Sequence, residues 1–213
     1  MDDLAKLAID DFLDRTGDRT PTPGGGGVTG LCGALAGALA RMVASYSVNK
    51  KTDPAVRDRL DGFARRFHRA DQLLRALITR DAEAYAVMAR AGRERKQAGE
   101  RSEGNDAAEE TYQRAVLAAL AVPMEMAALV SDALATMDEF KSSASRYLLS
   151  DLGIAAVLAE ATARAARYTV RVNVRELGDG STRAHVLEEI DEIVGHCAGR
   201  RESVEAFASK ALE

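Results

Sequence analysis

The sequence contains no tryptophan, and five phenylalanines and five tyrosines leave aromatics at 5% of 213 residues. A core built from it must close on small side chains, chiefly alanine, which favours helices that approach closely. The two cysteines, Cys32 and Cys197, are too few and too far apart for a disulfide framework, so a reducing cytoplasm is the expected setting. No basic excess exists: 29 Lys and Arg face 33 Asp and Glu for a net charge of −4, which argues against a nucleic-acid binder. The N-terminus MDDLAKLAIDDF is acidic and amphipathic, unlike a secretory leader. The longest apolar, uncharged stretch, residues 24–40, is too short and glycine-rich for a membrane span, and no membrane association is expected. His68, His185 and His196 show no ligand spacing, so no metal site is expected. Alternating strand patterns are absent as well.

What remains is helical periodicity. Residues 3–13 place Leu4, Ala8, Ile9 and Phe12 on one face, and residues 17–23 break the chain. Residues 28–48 then read as one helix, with Gly26, Gly30, Gly33, Gly37 and Ala40 forming a small-residue stripe for a close neighbour. Asp53 and Pro54 start the next helix as N-cap and first residue. Along it Val56, Leu60, Phe63, Phe67, Ala70, Leu74, Leu77, Asp81, Ala84 and Met88 recur at alternating steps of four and three, a heptad seam. Residues 92–106 are polar and aperiodic and read as a mobile connection. A helix resumes near Ala107 and should kink or restart at Pro123. Ser150 can cap a helix over residues 151–177, and a last helix begins near Thr182. The expectation is an all-α bundle of about six helices, several of them long, with residues 1–213 forming a single domain.

The stretch TPTPGGGGVTG holds Gly25, Gly27 and Gly30 in the spacing G-x-G-x-x-G. A dinucleotide fingerprint needs a preceding strand, and a P-loop needs Lys then Ser or Thr; neither context is present. Two readings stay open: a sharp turn with close packing, or free N–H groups at a helix start facing an anionic ligand group. Asp81 is a carboxylate on an apolar seam. Desolvation there raises its pKa towards proton-transfer chemistry, or it sets register by pairing with a cation. Tyr85, one turn on, can orient it or serve the core. Lys50 and Lys51 follow the glycine-rich helix as substrate-carboxylate binders, proton donors or plain surface lysines. Ser150 and Asp151 read as an N-cap and first-turn acid. Asn173 can hydrogen-bond a ligand or another helix, and Arg171 and Arg175 beside it can bind carboxylates or stay solvated.

The segment PTPGGGGVTGLCGALAGALARMVASYSVNKK resembles the opening of the cyclodeaminase/cyclohydrolase family, P-x-P-G-G-G-S, then an Ala/Gly-rich helix, then A-N-L-T-x-G-K. The likeness continues through DAEAYAVMARA, AVPMEMA and SDLGIAAVLAEATARAARYTVRVNV, in family order over about residues 4–177. The resemblance implies an all-helical homodimer with folate sites near the subunit interface, one-carbon chemistry on tetrahydrofolate, and neither metal nor cofactor. It implies ring closure of a formimino group with loss of ammonia, or hydrolysis of a methenyl bridge. Asp81 would then move a proton, with Lys50 or Lys51 assisting. Gly24, Gly25, Gly26, Gly27, Ser45, Tyr85, Ser150, Asp151, Asn173 and Arg171 would contact substrate. Gly27 stands where the family has Ser, Ser45 and Thr169 stand where it has Asn, and Asn49 where it has Gly. Ser145 and Tyr147 replace two further asparagines. Since hydrogen-bonding sites discriminate strongly between substrates, two other readings stay open: carbon–nitrogen chemistry on a non-folate metabolite, and a non-catalytic binding or assembly module.

Overall fold

A computed structural model describes residues 3–48, 52–101 and 105–212. Among these are six α-helices: α1 Ile9–Gly17, α2 Gly25–Tyr46, α3 Pro54–Arg101, α4 Asn105–Phe140, α5 Leu149–Asn173 and α6 Gly180–Leu212. Short 3₁₀ turns precede α1 and join α4 to α5 and α5 to α6, and no strand occurs among the described residues.

The glycine stripe explains the central contact. A Cβ at Gly37 would lie 3.2 Å from the backbone nitrogen of Asp71; one at Gly33 would lie 3.0 Å from both Leu74 and Thr162 side chains. One at Gly30 would meet Ile78 at 2.9 Å and one at Gly26 would collide with the Asp81 carboxylate. The partners rise from 71 to 81 as the glycines fall from 37 to 26, so α2 and α3 run antiparallel with backbones in near contact. Thr162 shows that the same stripe also seats α5. The α3 seam is buried from Leu60 through Leu77, and Phe63 and Phe67 pack their rings on Phe140 of α4 at 5.4 and 6.1 Å. Val56 is the exception, lying exposed at the start of the helix.

Several boundaries differ from expectation. The first helix is split: Leu4 and Phe12 are buried, but a 3₁₀ turn separates them and Ile9 is exposed. Residues 92–106 are largely helical, because α3 continues to Arg101 and α4 starts at Asn105. Arg95 lays its guanidinium 3.7 Å over the Tyr112 ring and pairs with Glu109 at 3.6 Å, so tertiary contacts hold a segment without apolar period. Pro123 lies inside α4 without ending it, between the buried Val122 and Met126. Leu148, not Ser150, is the N-cap of α5, and Ser150 falls in the first turn. α2 and residues Asp106–Ser143 are each long and apolar enough to cross a bilayer by length and composition; each buries half or more of its apolar window inside the protein.

Candidate active site

The N-terminus of α2, the middle of α3 and the C-terminal end of α5 converge on a cavity of about 380 Å³. The turn before α2 contributes Pro21, Thr22 and Gly24, and its first turn Gly25 and Gly26. From α3 come Asp81, Ala84, Tyr85 and Met88; Ala119 comes from α4, and Tyr168, Thr169, Val172 and Asn173 from α5. The helical step of four unites Ala84 with Met88 and Asp81 with Tyr85, and likewise Tyr168 with Val172 and Thr169 with Asn173.

Asp81 is the one charged side chain among the described lining residues. Burial pushes its pKa above the ordinary carboxylate value, and no ion pair or hydrogen bond is recorded for it among the described residues. Its carboxylate lies against bare backbone at Gly26, where any side chain would collide with it. The register-setting acid of α3 is a different residue. Asp71, three glycine contacts further along α2, is only 1% exposed and pairs with Arg75 at 2.5 Å and Arg41 at 3.7 Å. The ion-paired alternative expected for Asp81 thus belongs to Asp71. An unpaired, half-buried acid in a cavity is suited to accept and return a proton.

Asn173 donates from Nδ2 to the Ala119 carbonyl at 3.4 Å, which ties the end of α5 to α4 at the cavity wall. Tyr85 lines the cavity while remaining half-exposed. Other expected site residues lie elsewhere. Gly27 faces inward, its missing Cβ aimed at Pro23, 3.2 Å away, since one helical step turns it away from Gly26. Arg171 is held by Asp191 of α6 at 2.9 and 3.1 Å and does not line the cavity. Ser45 is exposed near the far end of α2, about 28 Å from Gly26 by helical rise. Ser150 lines a separate groove of about 310 Å³ with Gly153, Ile154 and Glu205, and Asp151 follows it in the first turn of α5. Lys50 and Lys51 lie outside the described residues. Among the described residues no cluster of three or more His, Cys, Asp or Glu is placed to hold a metal ion.

Sequence reasoning passed over Tyr168 and gave Thr169 only as a departure from the family pattern. The helical step back from Asn173 reaches Thr169, and that from Val172 reaches Tyr168, so the signal was present once Asn173 was suspected.

The model of the formiminotransferase-cyclodeaminase family matches residues 8–192. The chain belongs to that family. Methenyltetrahydrofolate cyclohydrolase of Methylorubrum extorquens is 27% identical over 197 residues, covering 92% of this chain and 93% of that protein. Formimidoyltransferase-cyclodeaminase of Rattus norvegicus is 31% identical over 180 residues, covering 83% of this chain and 32% of the longer protein. The crystal structure of formiminotetrahydrofolate cyclodeaminase from Thermotoga maritima matches with a TM-score of 0.84 and 28% identity, covering 98% of both chains. In this family member the glycine loop is therefore no nucleotide cradle. It is the floor on which an acid rests.

Proposed function

We propose that this family member is a cytoplasmic, homodimeric enzyme of folate one-carbon metabolism, acting as a cyclodeaminase or cyclohydrolase without metal or redox cofactor. The observation that carries the reading is the cavity's electrostatics: Asp81 is its one charge among the described residues, with no cation beside it. Such a site favours a positively charged reacting group. A protonated formimino group and a methenyl bridge are both amidine-type cations, and both reactions proceed by addition to that carbon. In cyclodeamination, N10 attacks the formimino carbon, its proton passes to Asp81, and ammonia leaves after receiving a proton. In hydrolysis, Asp81 takes a proton from the attacking water and returns it to N5 as the C–N5 bond breaks, while the remaining hydroxyl proton is released to solvent and the formyl C=O forms on N10. Orientation plus one proton carrier suffices for either.

The test is turnover of 5-formiminotetrahydrofolate and 5,10-methenyltetrahydrofolate, followed by the near-ultraviolet absorbance of the methenyl bridge. The parent chain should turn over at least one, and Asp81→Asn should lower kcat by about 10²- to 10⁴-fold with unchanged circular dichroism. Full activity in Asp81→Asn sinks the proposed role. A second reading, carbon–nitrogen chemistry on a non-folate metabolite, draws on Thr169, which lines the cavity where the family pattern carries Asn. Absence of reduced-folate binding by calorimetry would favour it, whereas binding without turnover would favour a non-catalytic module.

A further inference from the structure

The end of α5 carries a cation without a partner. Arginines recur along the second half of this helix, and the others are committed. Arg164 pairs with Glu160 at 3.8 Å, and Arg167 and Arg171 share Asp191 at 3.5 and 2.9 Å. Arg175 stands in the 3₁₀ turn Val174–Glu176 that continues α5. It is exposed, and its side chain has no recorded ion pair or hydrogen bond among the described residues. The carboxylates next in the chain are taken as well. Glu176 accepts from the Tyr112 hydroxyl at 2.7 Å, and Asp179 accepts from the Ser181 hydroxyl and the Thr182 N–H at 2.9 and 3.0 Å. The backbone on either side of Arg175 is fixed: Val174 is buried, and the Glu176 carbonyl accepts from Gln113 Nε2 at 3.1 Å. A free cation on an anchored turn is preorganised for an anion from outside the chain.

The helix register gives its place relative to Asp81. A Cβ at Gly33 would lie 3.0 Å from both Leu74 of α3 and Thr162 of α5, so those two residues stand level. α3 and α5 both run opposite to α2 and therefore parallel to each other. The same step along each helix reaches Asp81 and Thr169, which both line the cavity. From Thr169 to Arg175 the chain rises about 9 Å. Tyr168 and Val172 line the cavity's open edge at 67% and 62% exposure. Side chains three and four apart share a face, so Tyr168, Val172 and Arg175 form one strip leading out of the cavity.

The strip reads as aromatic, then aliphatic, then cationic. In a folate the reacting carbon joins N5 to N10, N10 carries a benzoyl ring, and the ring carries a glutamate. Covalent dimensions place the glutamate α-carboxylate about 9–10 Å from that carbon in an extended tail. With the carbon beside Asp81, the ring lies along Tyr168 and Val172 and the carboxylate reaches the level of Arg175. Resting on the folate-enzyme reading above, we infer that Arg175 is the tail-binding end of the site and holds the substrate's glutamate carboxylate. A guanidinium offers a carboxylate two parallel N–H donors, and no cation lines the cavity itself among the described residues. At about 9 Å, close to a Debye length, a solvated cation does little to oppose positive charge at the reacting carbon. Asp81 and Arg175 thus act on opposite ends of one molecule, and a metabolite without a carboxylate at that reach gains nothing from the second.

The test compares substrates that differ only in the tail: 5,10-methenyltetrahydrofolate and its methylamide counterpart, in which methylamine replaces glutamate. The corresponding 5-formimino pair serves if that is what the parent turns over. In the parent, KM for the methylamide should be about tenfold higher. Arg175→Ala should raise KM for the folate about tenfold and leave that for the methylamide unchanged. With kcat within about twofold for both, this is the signature of lost uniform binding. Arg175→Lys should recover part of the loss, since it keeps the charge without the bidentate fork. Equal KM for the two substrates in the parent, or a rise for both in Arg175→Ala, overturns the proposal. Should the parent turn over neither, calorimetry with 5-formyltetrahydrofolate separates the tail site from the reaction. Binding that weakens about tenfold in Arg175→Ala keeps the tail site and sinks the proposed activity. Binding indifferent to Arg175→Ala, or no binding, sinks both.

Discussion

Asp71 and Asp81 stand on the same helix and both lie against glycines of α2, yet their surroundings differ. Asp71 is clamped by two arginines, while Asp81 has burial without a recorded partner. Because burial raises its folded-state pKa, ionised Asp81 costs more in the folded chain than in the unfolded one. The stability tied to its protonated form is complete below the unfolded pKa and is lost as pH rises through the folded pKa. Asp81→Asn should therefore melt above the parent at pH 7, with the gap closing below about pH 4, near the unperturbed carboxylate pKa. A lower melting temperature at pH 7 would mean that the carboxylate is stabilised by a partner. Gly26→Ala makes the complementary test. Its Cβ would occupy the carboxylate's position, so Asp81 must swing away. Replacing a helical glycine by alanine otherwise stabilises by up to about 1 kcal/mol. The expected result is a fall in kcat of at least about tenfold, within the range for a displaced proton carrier, with the melting temperature kept.

Between elements, the decisive quantity is what a glycine neighbours. At Gly37 the neighbour is the backbone of Asp71, which cannot yield without parting α2 from α3. At Gly30 the Met126 Cε at 3.2 Å can move, but the buried Ile78 Cγ1 at 2.9 Å and the Leu74 carbonyl at 3.4 Å cannot do so freely. Gly37→Ala and Gly30→Ala should thus each cost about 1–3 kcal/mol, as overpacking does. Urea unfolding of the two variants decides; an unchanged stability in either would mean the helix contact is softer than its geometry. The stripe and the α3 seam were legible because periodicity is written in residue type. Residues 92–106 were not, since Arg95 stacking on Tyr112 and pairing with Glu109 is a tertiary contact with no local signature. Asp81 was legible as an acid on an apolar seam; Arg171 misled because Asp191, twenty positions away, was invisible as its partner.

At the scale of the whole molecule, the family motifs were found in order, but their separation was not visible in the chain. Linear motifs do not say that the glycine turn and Ser45 cap opposite ends of one helix. That separation leaves the middle of α2 outside the cavity, with Leu35 exposed between its two ends. Leu35 is more than half exposed in the single chain, so a charged residue there costs the fold little. If the proposed homodimer forms through this surface, however, Leu35→Arg would set two guanidinium groups into an apolar interface, at a cost of several kcal/mol. Light scattering of the parent should give about twice the 22.8 kDa chain mass, and that of Leu35→Arg about one chain mass. Helical content should be unchanged. A Leu35→Arg chain that remains dimeric would place the contact between copies elsewhere.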